Sequence, residues 1–77
     1  MNAQVARELT NKAVEDKLDP ELESLYRRID ENASYGMNRV SMLHDAGSPM
    51  GEALSAILGD AGFVITTDDN NELVVTW

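Results

Sequence analysis

The chain has 77 residues, 14 acidic side chains against 6 Lys and Arg, and a formal net charge of -8. That length makes one small domain, and a negative field of that size repels a phosphate backbone, which excludes direct nucleic-acid binding as an expectation. An apolar share of 43% with 26% charged residues is that of a chain that folds, and the lack of cysteine removes disulfide frameworks, thiolate metal sites and thiol nucleophiles together.

The first segment, Asn2 to Leu18, carries Val5, Leu9 and Ala13, and beside them Ala6, Val14 and Leu18, at spacings near four. This is a helix with a thin apolar stripe, and two readings stay open: a peripheral packed helix, or one that projects toward a partner through Val5 and Leu9. Asp19 then reads as an N-cap and Pro20 as the first residue of a second helix, Pro20 to Tyr35, with Leu22, Leu25, Tyr26, Ile29 and Ala33 on its core face. Gly36 supplies the left-handed residue that ends it.

Past Gly36 the period changes to two, and Met37 to His44 reads as a first strand with Val40 and Met42 on one face and Arg39, Ser41 and Leu43 on the other. Ser48 and Pro49 are another cap and first-turn pair, opening a third helix that turns Met50, Ala53, Leu54, Ile57, Leu58 and Ala61 inward and stops at Gly62. Gly59 within it points to close approach of another backbone. Phe63 to Thr67 and Glu72 to Trp77 are strand-like runs joined by Asp68, Asp69, Asn70 and Asn71, whose short polar side chains suit a turn.

The plan is α+β: two N-terminal helices, then β-α-β-β. Residues 1–18 form the first helix and 19–77 a single small domain. A right-handed crossover and a terminal hairpin leave the last strand, with Leu73, Val74 and Val75 apolar in succession, as the middle one. The expected sheet is three-stranded and antiparallel in order 1-3-2, covered by helices on one face, where Phe63, Ile65, Leu73, Val75 and Trp77 join Val40 and Met42. So short a chain gains stability by assembling with another surface, a second copy or another protein.

Chemistry-bearing residues are few. His44 is the only imidazole and has Asp45 beside it, but Ser41 points to the opposite strand face and Ser48 serves as a cap, so no triad forms and His44 reads as a solvated strand end. The run Asp68 to Glu72 has calcium-like oxygens without the loop glycine and distant bidentate Glu of a calcium loop, and Asp30 and Glu31 lack a helical metal partner. The glycines make neither a dinucleotide fingerprint nor a phosphate loop. No enzyme, metal site or cofactor is expected.

Charge patterning is the exception. No Lys or Arg follows Arg39, whereas Asp45, Glu52, Asp60, Asp68, Asp69 and Glu72 do. Those six acids are the candidate contact residues for a basic partner surface, beside their plain reading as solubilising charge. No apolar run exceeds three residues, too short to span a bilayer, and Met1 to Thr10 lack the plan of a signal peptide. A soluble intracellular protein with no membrane partner is expected.

Three stretches carry a likeness: Ile29-Asp-Glu-Asn-Ala33-Ser-Tyr-Gly36-Met-Asn-Arg-Val40, Leu54-Ser-Ala-Ile57-Leu58-Gly-Asp-Ala-Gly62-Phe63-Val64-Ile65, and Leu73-Val74-Val75-Thr76-Trp77. Over Ile29 to Trp77 the chain resembles small proteins of tailed bacteriophages that end in a Gly-aromatic strand, a polar turn and a hydrophobic-x-Trp terminus. The resemblance implies a place in the virion or the host cytoplasm. It also implies one of two occupations: a minor virion structural or assembly component, or an early protein that diverts a host factor.

Overall fold

A computed structural model describes Met1–Trp77. The chain folds as α1 (Ala3–Ser34), β1 (Arg39–Asp45), α2 (Pro49–Asp60), β2 (Val64–Thr67) and β3 (Glu72–Thr76). The sheet is antiparallel in order β1-β3-β2, as the crossover and hairpin reasoning requires.

One long helix replaces the expected pair. Pro20 lies inside α1, and the cap is Asn2, whose side chain accepts from Val5 N at 2.9 Å, so Asp19 caps nothing. Proline removes one helical hydrogen bond and crowds the carbonyl four residues back, that of Asp16. Here both residues are exposed, so water reaches the freed carbonyl, while Leu18 and Leu22 on either side of Pro20 both pack against the core and favour a helix that continues through it. The helix ends as expected: Gly36 takes φ +82 and Met37 N returns to Asn32 O at 2.9 Å.

Eight buried residues form the core. Leu25 and Ile29 of α1 and Leu54 and Leu58 of α2 meet Val40, Met42, Leu73 and Val75 on one face of the sheet. Val74 points to the other face yet is only 4% exposed, flanked in register by Ser41 and Thr66 on the neighbouring strands. Four residues of the expected core face lie outside: Ala33 and Ala61 are exposed, and Tyr26 and Trp77, 39% and 38% exposed, sit at the rim, the Tyr26 ring 6.5 Å from Phe63. Trp77 closes the same end, packed edge-on to Phe63 at 6.2 Å.

The turns follow their residue chemistry. Ser48 Oγ accepts from Gly51 N at 3.1 Å at the start of α2, and Gly62 takes φ +98 after its end. In the hairpin Asp68 Oδ1 accepts from Asn70 N and Glu72 N at 2.9 and 3.0 Å, and Asn71 takes φ +63.

β1 departs from regular alternation. Its register against β3 slips between Ser41 and Asp45, with Leu43 at φ +61 and 71% exposed. The bulge re-aims His44, which is half-buried with Nε2 3.3 Å from Glu21 Oε2 of α1, and not a solvated strand end. The close approach inferred for Gly59 occurs instead at Gly51: a Cβ on Gly59 meets open space, whereas one on Gly51 falls 2.7 Å from Leu73 Cδ1 and 2.8 Å from Asp45 O.

Candidate functional site

The N-terminal part of α1 stands clear of the domain. Every residue from Met1 to Ala13 is exposed, and the longest dimension of the molecule is 48 Å, the length expected of a helix of about 32 residues at ~1.5 Å each. Val5 and Leu9 are 40% and 54% exposed. At ~3.6 residues per turn Leu9 lies roughly half a turn around the axis from the buried Leu25 and Ile29, so this apolar pair does not continue the packed stripe.

Closer in, Thr10 to Lys17 run beside the start of α2 without closing on it. An open groove of about 480 Å³ lies between Asn11, Val14 and Glu15 on one wall and Pro49, Glu52 and Ala53 on the other. A second, of about 270 Å³, continues past Val14 toward Lys17 and Met50. Ser55 Oγ of α2, a buried side-chain oxygen without a hydrogen-bond partner, lines neither.

Folding sorts the six acids of the C-terminal half into separate places. Asp45 pairs with Glu72 across β1 and β3, and Asp68 N donates to Glu72 O at 2.9 Å, which sets Asp45, Glu72 and Asp68 in one row across the end of the sheet. Directly opposed residues share a face, with Cβ atoms about 5 Å apart, so Asp45 and Glu72 concentrate negative charge there, while Asp68 beside them turns Oδ1 onto Asn70 N and Glu72 N. Asp69 stands next to it in the turn. Glu52 lies in the first turn of α2 and Asp60 closes that helix, roughly 12 Å further along at ~1.5 Å per residue.

All six basic residues lie on α1 or β1: Arg7, Lys12, Lys17, Arg27 and Arg28 on the helix, Arg39 on the strand. Strand order puts β2 at the far edge from β1. The charge asymmetry along the sequence thereby becomes an asymmetry in space, with acids and no bases on α2, β3 and the turn that joins β2 to β3.

Two residues that sequence reasoning passed over, Arg28 and Asn32, lie against the outer edge of β1. Arg28 Nη1 donates to Ser41 O at 2.7 Å and Asn32 Nδ2 to Arg39 O at 2.9 Å. The only signal for them was their place as polar neighbours of the Leu25 and Ile29 stripe.

Neither a triad nor a metal cluster is assembled. His44 faces Glu21, Ser48 Oγ is held by Asp45 O at 2.9 Å while it caps α2, and no three His, Asp or Glu side chains converge to hold an ion. No helix is long and apolar enough to cross a membrane. No protein-family profile, curated protein or solved structure matches the chain.

Proposed function

We propose that this chain is a non-enzymatic, phage-type protein-binding protein that serves as a minor virion structural or assembly component. The exposed Val5 and Leu9 on the free end of α1 carry the reading. A short isolated helix is marginal in water, and here the packed half of α1 supports the free half, holding two aliphatic side chains well beyond the domain for another protein to bury. The reading also rests on the resemblance of Ile29 to Trp77 to tailed-phage proteins.

Mass spectrometry of purified particles tests it: the chain is expected at a fixed number of copies per particle, and Leu9→Glu lowers that number while the isolated protein melts unchanged. Absence from particles overturns it.

The row Asp45, Glu72 and Asp68 favours a second reading, an acidic early protein that occupies the basic surface of a host nucleic-acid enzyme or defence factor. Binding to such a host protein that collapses between low and moderate salt supports this reading, and salt-insensitive association with a virion protein counts against it.

A further inference from the structure

The two edges of the sheet are treated differently. Trp77 N donates to Asn38 O at 3.1 Å, so β3 turns the backbone of alternate residues toward β1, and the carbonyls of Arg39 and Ser41 point outward, where Asn32 and Arg28 meet them. On the other side Asp68 N donates to Glu72 O, which makes Thr66–Val74 and Val64–Thr76 the bonded pairs of the hairpin. Ile65 and Thr67 therefore direct N–H and C=O away from the sheet, and no helix side chain donates to them. Val64, Thr66 and Thr67 are exposed, and β2 carries neither a charge, a proline nor a bulge, so of the usual devices that blunt an edge it has only its shortness, four residues.

We propose that the outer edge of β2 accepts an extended Lys- or Arg-rich segment of another protein as a fourth strand. The unpaired groups of Ile65 and Thr67 supply up to about four main-chain hydrogen bonds. Charge selects the occupant: Asp60 precedes β2, Asp68 and Asp69 follow it, and no basic residue lies on β2, β3 or α2. A second copy is disfavoured by the same charges, because antiparallel pairing of β2 with itself sets Asp68 and Asp69 of each chain toward the Asp60 end of the other, between molecules of charge -8. β2 lies across the sheet from α1, so the outcome here is independent of what Val5 and Leu9 bind.

The test is titration of the ¹⁵N-labelled full chain with a capped hexapeptide of alternating Lys and Val, and with its twin in which Glu replaces Lys. Expected are shifts of the Ile65 and Thr67 amides and about tenfold or greater protection of both from hydrogen exchange. Val64 and Thr66, already bonded to β3, keep their protection; the Glu twin does nothing; and affinity falls about tenfold from low to moderate salt. Thr67→Pro removes one outward donor and no ladder bond, and is expected to abolish binding. Asp60→Asn with Asp69→Asn leaves the backbone intact and is expected to weaken binding several-fold, which decides the matter should the proline variant unfold. Unprotected Ile65 and Thr67 at millimolar peptide, equal binding of the Glu twin, or protection of both amides by self-association without peptide overturns the inference.

Discussion

The guanidinium of Arg28 sits 2.7 Å from the Ser41 carbonyl, and one helical turn later Asn32 reaches the carbonyl of Arg39 at 2.9 Å. The match is a matter of rise: four helical residues advance about 6.0 Å and two strand residues about 6.6 Å, so donors at i and i+4 on α1 meet acceptors at j and j-2 on the antiparallel-running β1. α1 thus closes an edge that strand geometry leaves open. Arg28→Met keeps the aliphatic stem and removes the donor, and is expected to lower stability by about 1 to 2 kcal/mol, the value of a charge-assisted hydrogen bond at a partly wet site. Urea unfolding measures it. An unchanged midpoint means that water replaces Arg28 without loss.

Leu43 is a left-handed leucine with most of its side chain in water, at φ +61 and 71% exposed. A branched aliphatic residue in that conformation is strained by roughly 1 to 2 kcal/mol, and burial offsets little of it here. Leu43→Asn, a residue that adopts the left-handed region readily, is expected to raise stability by about 0.5 to 1 kcal/mol. Thermal unfolding reads the change; a fall in stability shows that Leu43 contributes packing despite its exposure.

Much of the fold is legible in the sequence because its punctuation is local. Ser48-Pro49, Gly36, Gly62 and the Asp68–Asn71 turn each satisfy or free backbone groups within a few residues, and the apolar run Leu73 to Val75 identifies the central strand. Pro20 is misread for the opposite reason: the helix runs on through it with Leu18 and Leu22 both reaching the core, and that is a fact of tertiary packing. The bulge at Leu43 is less legible: the alternation of Val40, Ser41 and Met42 stops at Leu43, but that break alone does not say that the register slips there in space. The acids were visible as six residues, but the row of Asp45, Glu72 and Asp68 exists only once β3 lies between β1 and β2.

The two helical glycines of α2 are expected to respond in opposite directions. Alanine at Gly59 meets open space, so Gly59→Ala gains helix propensity and is expected to stabilise by up to ~1 kcal/mol. At Gly51 the same methyl group falls 2.7 Å from Leu73 Cδ1 and from Ser48 Oγ, and 2.8 Å from Asp45 O. Leucine can rotate, but Asp45 O is fixed by accepting from both Ser48 N and Ser48 Oγ, so the start of α2 has to move off the sheet. Gly51→Ala is therefore expected to cost about 1 to 3 kcal/mol before the propensity gain. Equal effects of the two substitutions, measured by chemical denaturation, would sink this account of the α2–β3 contact.

Pro20 bears on how firmly the free end of α1 is aimed. It interrupts the helical ladder once, at Asp16, between the packed Leu18–Ile29 stretch and the exposed turns that carry Val5 and Leu9. Helix formation is cooperative, so a missing bond at that place weakens the support that the anchored half gives to the free half. Pro20→Ala restores an N–H opposite the Asp16 carbonyl and relieves the ring contact. In a buried helix the gain is about 3 kcal/mol, and because water already reaches this carbonyl a value near 1 to 2 kcal/mol is expected. The gain is expected to concentrate in amides 4 to 16, whose hydrogen exchange slows while those of Leu25 and Ile29 change only with global stability. If α1 serves to hold Val5 and Leu9 at a fixed distance, Pro20→Ala leaves partner binding intact or tightens it. Binding lost in a variant whose free end is more helical shows that bending at Pro20 is needed for docking.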